Sequence, residues 1–374
     1  MRFTNEKTKN SFWQILFAHP HRLFFGSSLI WGIVLMGLSL CSFVGYPIDF
    51  SIIHGYGMLY GVFVNAFLGF LSTVIPRYTQ SIEIPKKLFH SFWLLYQIGL
   101  ILWFSGFIFI GQLFSAIALM TAGFVYYQTV RIGRYPKEAD SLWLVGLVFI
   151  SGVLVAANLF LPFSLSWTAI WVTILPITFT VAQRMIPFFF AGYFGSFYHK
   201  SEWVVPFFVL GSWGIALGGE SSPLTSMISF ILFLGISYFL WLLDIYRKAP
   251  GILRILMLGF LWLPIGLFTI GVESFFELPS FKMGLHILLL GFVFTLLIGF
   301  GTRVLLGHSG QQIHADRITI IVFGITQILV IVRLIASLLY IWNQPLFVGF
   351  IDLGFVVFII MMVMWGIRYR KAIF

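Results

Sequence analysis

The chain has 374 residues, of which 60% are hydrophobic and only 9% charged, with a formal net charge of +10. That composition excludes a soluble globular domain, and the basic residues sit in short segments between apolar runs, where they orient helices in a membrane rather than bind nucleic acid. The single cysteine, Cys41, excludes an internal disulfide framework and a thiolate metal cluster.

The first apolar run follows a basic start and continues to about Val44 with no small-residue cleavage site, so it reads as an uncleaved first helix. Hydropathy predicts twelve spans, at residues 23–45, 51–75, 88–110, 113–130, 141–160, 166–190, 203–219, 223–244, 252–271, 282–305, 318–341 and 346–367, each near the length needed to cross a bilayer. The fold class is therefore all-α: a polytopic membrane protein, residues 1–374 forming one domain with no soluble domain, because no connection is long enough to hold one. With a cytoplasmic N-terminus, the inside segments hold Arg2, Lys7, Lys9, Arg22, Lys86, Lys87, Arg131, Arg134, Lys137, Lys200, Arg247, Lys248, Arg317, Arg368, Arg370 and Lys371. The outside segments hold Asp49, Glu220, Glu273, Glu277 and Lys282. The positive-inside rule then places both termini in the cytoplasm. No internal sequence repeat is found.

Ionisable side chains are costly in a bilayer, so the polar residues of the spans are the functional clues. Span 2 opens at His54, carries Asn65 and ends at Arg77; span 6 ends with Arg184; span 10 carries His286, Arg303 and His308. At about 100° per residue, His54, Gly61, Asn65 and Ser72 fall on one stripe of small and polar side chains, which is expected to face protein or a cofactor. His286 shares its face with Leu290, Val293, Leu297 and Val304. Two histidines at the same outer depth, one beside an apolar wall, suit a flat porphyrin held by axial nitrogens. The plain alternative is that each histidine hydrogen-bonds a neighbouring helix.

Arg77, Arg184 and Arg303 gather near the inner face, where the helices offer little counter-charge. Lipid headgroups would satisfy them, and the sharper reading is a pocket for an anionic or quinone-like ligand, with His308 beside it. Arg333 and Asp352 flank the hairpin between spans 11 and 12 and are expected to pair, though Arg333 would alternatively reach a cofactor carboxylate. His19, His21 and Arg22 are expected at the headgroups, and His90, His199 and His314 at membrane edges. There is no Walker loop, dinucleotide fingerprint, Cys-x-x-Cys or His-Glu-x-x-His, so nucleotide and zinc chemistry lack support.

The segments HPHRLFF, HGYGMLYGVFVNAFLGFLSTVIPR, QRMIPFFF and LHILLLGFVFTLLIGFGTRVLLGHSG, in that order, resemble the signature blocks of the NnrS family of bacterial membrane proteins. The resemblance implies a twelve-helix, multi-pass protein of the cytoplasmic (inner) membrane that contains haem and copper and helps cells withstand nitric oxide. It implies haem-dependent redox activity toward nitric oxide or metal-nitrosyl species. Many members carry His-x-His-Glu-Met in the second helix, whereas this chain has His54, Gly55, Tyr56, Gly57 and Met58, so the resemblance carries haem further than copper.

A more distant likeness in arrangement is to subunit I of the haem-copper oxidases, whose low-spin haem is held by histidines on helices 2 and 10. By that likeness His54 and His286 are axial ligands of a b-type haem, and the absence of histidines on spans 6 and 7 removes an oxygen-reducing copper site. The expected metal ligands are His54, His286 and His308, with Arg333 and Asn65 beside the cofactor. Nitric oxide or a quinone is the expected small-molecule ligand and the lipid bilayer the surrounding partner. The rival reading is a small-molecule or anion transporter without redox chemistry, in which the stripe on span 2 lines a path.

Overall fold

The computed structural model describes residues 12–47, 49–50, 52–161, 165–195 and 201–373; the basic positions Arg2, Lys7, Lys9 and Lys200, and His199, lie outside them. Every regular element among the described residues is helical. A five-residue helix, Phe12–Leu16, leads into α1 (Pro20–Phe43), α2 (Ile53–Thr79), α3 (Lys86–Phe104), α4 (Ile108–Ile132), α5 (Ala139–Ala157) and α6 (Ser166–Phe194). There follow α7 (Val204–Gly218), α8 (Pro223–Leu242), α9 (Gly251–Phe276), α10 (Met283–His308), α11 (Arg317–Trp342) and α12 (Gln344–Ile373). Ten of these are long and apolar enough to cross a membrane, the exceptions being α3 and α7. Helix α7 has 15 residues, which rise about 22 Å, short of a hydrocarbon core of about 30 Å.

Helices consecutive in the chain pack side by side in most places, and α12 returns to pack on α1, closing the bundle. Inside it stand α2, α6 and α10, whose apolar windows are 94%, 83% and 72% buried, against at most 61% for any other candidate span. The core therefore recurs at every fourth helix, a periodicity of burial that needs no repeat in the sequence.

The same three helices share a second property. Each has, at or within a turn of its start, backbone wound i→i+5 in place of i→i+4: Ile52–Val64 in α2, Ile170–Ile174 in α6 and Ile287–Phe294 in α10. Such winding is rare and concentrates at functional sites. It also overturns the expected stripe on α2, because a wider turn changes the angle between successive side chains. His54 faces α10 and α12, touching His286 and Phe355. A Cβ on Gly61 would face Leu35 and Trp31 of α1, Asn65 bonds Gln97 of α3, and Ser72 bonds Tyr126 of α4. Four residues assigned to one face contact four different sets of neighbours.

Candidate functional site

The site expected at the outer face is built by the start of α10. Phe281 and Lys282 adopt positive φ, 49° and 58°, and turn the chain sharply into the helix. The Glu273 carboxylate of α9 accepts from Gly284 N at 3.0 Å and from the Ser280 hydroxyl, so an acidic group caps exposed amides where a helix dipole favours one. A Cβ on Gly284 would lie 2.7 Å from that carboxylate and 2.8 Å from Ile270 N, which makes glycine the residue that allows α9 and α10 to meet. Lys282 closes the turn with an ion pair to Glu220 at 2.8 Å.

One turn on, His286 Nδ1 lies 2.8 Å from Lys282 O and 3.1 Å from an Arg333 nitrogen. Arginine only donates, so the two contacts are not hydrogen bonds at once. With the proton on Nδ1 the backbone carbonyl accepts it, and Nε2 keeps its lone pair for a ligand. Arg333 then keeps its other bonds, to Ser337 Oγ at 2.5 Å and Phe281 O at 2.8 Å. The expected ion pair with Asp352 is not formed: Arg333 turns toward α10, and Asp352 Oδ1 is buried with no hydrogen-bond partner.

The His54 and His286 rings are 6.1 Å apart, centroid to centroid, with planes 22° from parallel. Phe50 stacks on His54 at 4.9 Å, and Phe355 packs edge-on at 6.3 Å. His54 Nδ1 is buried without a partner. Metal–imidazole bonds are about 2.0–2.1 Å, so two imidazoles on opposite sides of one metal put their ring centres about 6 Å apart. The spacing and the orphaned nitrogen fit a group that takes one nitrogen from each ring. Among the described residues no set of three or more His, Cys, Asp or Glu is placed to hold a metal ion.

Asn65 stands away from this pair. It is fully buried, donates to Gly61 O at 3.2 Å and accepts from Gln97, which in turn accepts from the Trp31 indole at 3.0 Å, a network that ties α1, α2 and α3 together. Tyr56, where the second family histidine would stand, stacks on Trp103 at 4.1 Å, away from the histidine pair.

The inner group separates into three. Arg184 is paired with Glu138 and, at 3.1 Å, with Asp140, and lies 3.9 Å above the Tyr78 ring. Glu138 in the α4–α5 connection and Asp140 in the first turn of α5 thus supply the counter-charge that α2, α6 and α10 lack. Arg303 stacks on Phe189 at 3.7 Å and lines a cleft of about 490 Å³ with Phe188, Tyr193, Pro250 and His314. Arg77 donates to His308 Nε2 at 3.0 Å. His308 meets the two histidines assigned to the headgroups: its ring is 4.5 Å from His21 and 5.8 Å from His19. His21 is only 1% exposed, a correction explained by α1 starting at Pro20, which carries His21 into the bundle.

Contacts at both ends of α2 and α10, His54 with His286 and Arg77 with His308, make the two helices parallel. Of the residues that complete these sites, Glu273 and Phe355 carried no sequence signal, since their contacts come from separate helices, whereas Phe50 stands only four residues before His54. A family model described as NnrS protein matches residues 15–374, nearly the whole chain. No curated protein matches.

Proposed function

The chain belongs to the NnrS family, and on that premise we propose that it is a haem protein of the bacterial inner membrane that serves in defence against nitric oxide. His54 and His286 would hold a b-type haem between α2 and α10, in a bundle all twelve of whose helices cross. The observation that carries the reading is the pair of facing imidazoles 6.1 Å apart.

The group would supply one-electron chemistry and, where one histidine binds weakly, a place for a diatomic ligand. The chain's own residues prepare the site. Lys282 O holds the His286 proton on Nδ1 and aims Nε2 inward; Glu273 fixes the turn on which His286 stands. Arg333, beside His286, offers its charge to a ligand carboxylate, and Phe50 and Phe355 exclude water from His54. Asn65 acts at one remove, by fixing the packing of α2.

An absorption spectrum tests the reading. Protein purified from haem-replete cells is expected to show a Soret band that His54→Ala and His286→Ala each shift or abolish. A colourless wild type, or a band untouched by both substitutions, would refute it.

A further inference from the structure

The N-terminus of α1 carries a group of side chains that the outer site does not use. Helix α1 begins at Pro20 with His19 at its cap and no side chain capping it; Pro20 has no N–H and Arg22 N donates to His19 O at 3.2 Å, which leaves the His21 amide at the positive end of the dipole. His21, on the first turn, is buried, and neither of its ring nitrogens has a hydrogen-bond partner. Its ring sits among those of His308 at 4.5 Å and His19 at 5.5 Å. Arg22 follows, with Nε and Nη1 buried and unpartnered. Arg77 reaches the group from the end of α2 through His308.

Three clustered imidazoles invite a metal, but the charges around them oppose one. Two guanidiniums and the N-terminus of α1 converge where a cation would sit, and although the Glu83 carboxylate acts on His19 and His308 in the opposite sense, burial and the nearby positive charge of Arg22 prevail and hold His19 below the ordinary histidine range. The same features are those of an anion site, in which helix amides and guanidinium forks surround an oxyanion. Neutral imidazole N–H groups donate to it as well.

We propose that His21, Arg22, Arg77 and His308 bind a phosphate group at the start of α1, contributed either by a phospholipid headgroup or by free phosphate. The Arg22 guanidinium and the His21 amide face the oxygens directly, the His21 ring donates from the buried side, and Arg77 moves from His308 to the anion. The inference does not depend on the haem reading, since the phosphate readout applies equally to a colourless protein.

The test uses the full-length protein in detergent and in nanodiscs. Tryptophan-fluorescence melts are recorded against inorganic phosphate, with chloride matched for ionic strength, and native mass spectrometry scores retained phosphatidylglycerol against phosphatidylcholine. A saturable rise in Tm with phosphate identifies free phosphate; selective retention of phosphatidylglycerol without that rise identifies the headgroup. In either case Arg22→Gln and His21→Gln are expected to weaken the effect about tenfold, the loss of one charge-assisted contact. Arg22→Lys should restore part of it, and Arg131→Gln, an exposed inner charge, should leave it unchanged. Absence of both effects in the wild type, equal losses in Arg131→Gln, or stabilisation by zinc or copper but not by phosphate would overturn the proposal. Should Arg22→Gln fail to fold, the wild-type titration and Arg22→Lys still decide.

Discussion

Asp316 shows how one side chain can fix two helix ends. Its carboxylate accepts from Thr319 N at 2.8 Å and Thr319 Oγ1 at 2.7 Å, capping α11, while Arg368 of α12 donates to its other oxygen at 2.6 Å. Burial pushes this carboxyl up, but the bonds from Thr319 and Arg368 outweigh it and hold the group below its ordinary range. A depressed folded-state value means that the stabilisation is full above the unfolded value of about 3.9 and is lost as pH falls through the folded one. Asp316→Ala is therefore expected to cost about 1–2 kcal/mol near neutrality, a lost cap plus a partly exposed ion pair. The difference from wild type should shrink in acid. Fluorescence melts across a pH series check this; a constant gap down to the acid limit would show that the carboxylate charge is not responsible. Residues of this kind were visible in the sequence only as charges at a membrane edge. His54, His286 and the Arg77–His308 end of the core were legible because polar groups in an apolar helix need a reason. Arg184 was misread because its partners come from another connection, 46 and 44 residues away.

At the scale of the helix, the sequence predicts position better than phase. The twelve predicted segments match the helices to within a few residues at most ends, since length and hydropathy decide them. The phase of α2 failed because 13 residues wind i→i+5, and no residue pattern distinguishes that winding from an ordinary helix rich in glycine. Close helix contacts were likewise visible only as scattered glycines. The tightest joins α3 to α4, where a Cβ on Gly111 would lie 2.5 Å from Trp103 N and 2.7 Å from Gly99 O. Both are backbone atoms that cannot yield without moving a helix, as in the small-residue packing of membrane helices. Gly111→Ala is expected to cost about 1–3 kcal/mol by overpacking. Gly146 in α5 has nothing within 4 Å of its Cβ position, so Gly146→Ala should be neutral or stabilise by up to about 1 kcal/mol, the helix preference for alanine. Denaturant or thermal unfolding of the two variants in the same detergent would settle the contrast, and equal effects would mean that the α3–α4 contact is looser than described.

For the whole molecule the open quantity is whether α3 and α7, the two helices that fall short by length or composition, cross with the rest. The inner-end contacts argue that they do. Tyr135 N, just after α4, bonds Thr79 O at the end of α2, so α3 and α4 together return the chain to the side it left. Arg184 near the end of α6 meets Glu138 before α5. Arg247, after α8, lies 5.6 Å from the Phe194 ring that ends α6, so α7 and α8 also return together. If α4 and α8 cross, as their length and composition allow, α3 and α7 must reach the far side to meet their starts. Cysteine labelling tests this parity once Cys41→Ser has removed the native thiol. Single cysteines at Ile82, Tyr135 and Gln312 should react only from the cytoplasmic side, and one at Ser221 only from the outer side. Failure of α3 to cross moves Tyr135 outside; failure of α7 moves Ser221 inside and Gln312 outside. The basic clusters Arg131, Arg134, Lys137 and Arg247, Lys248 would then lie on opposite faces, against the charge rule that orients helical membrane proteins.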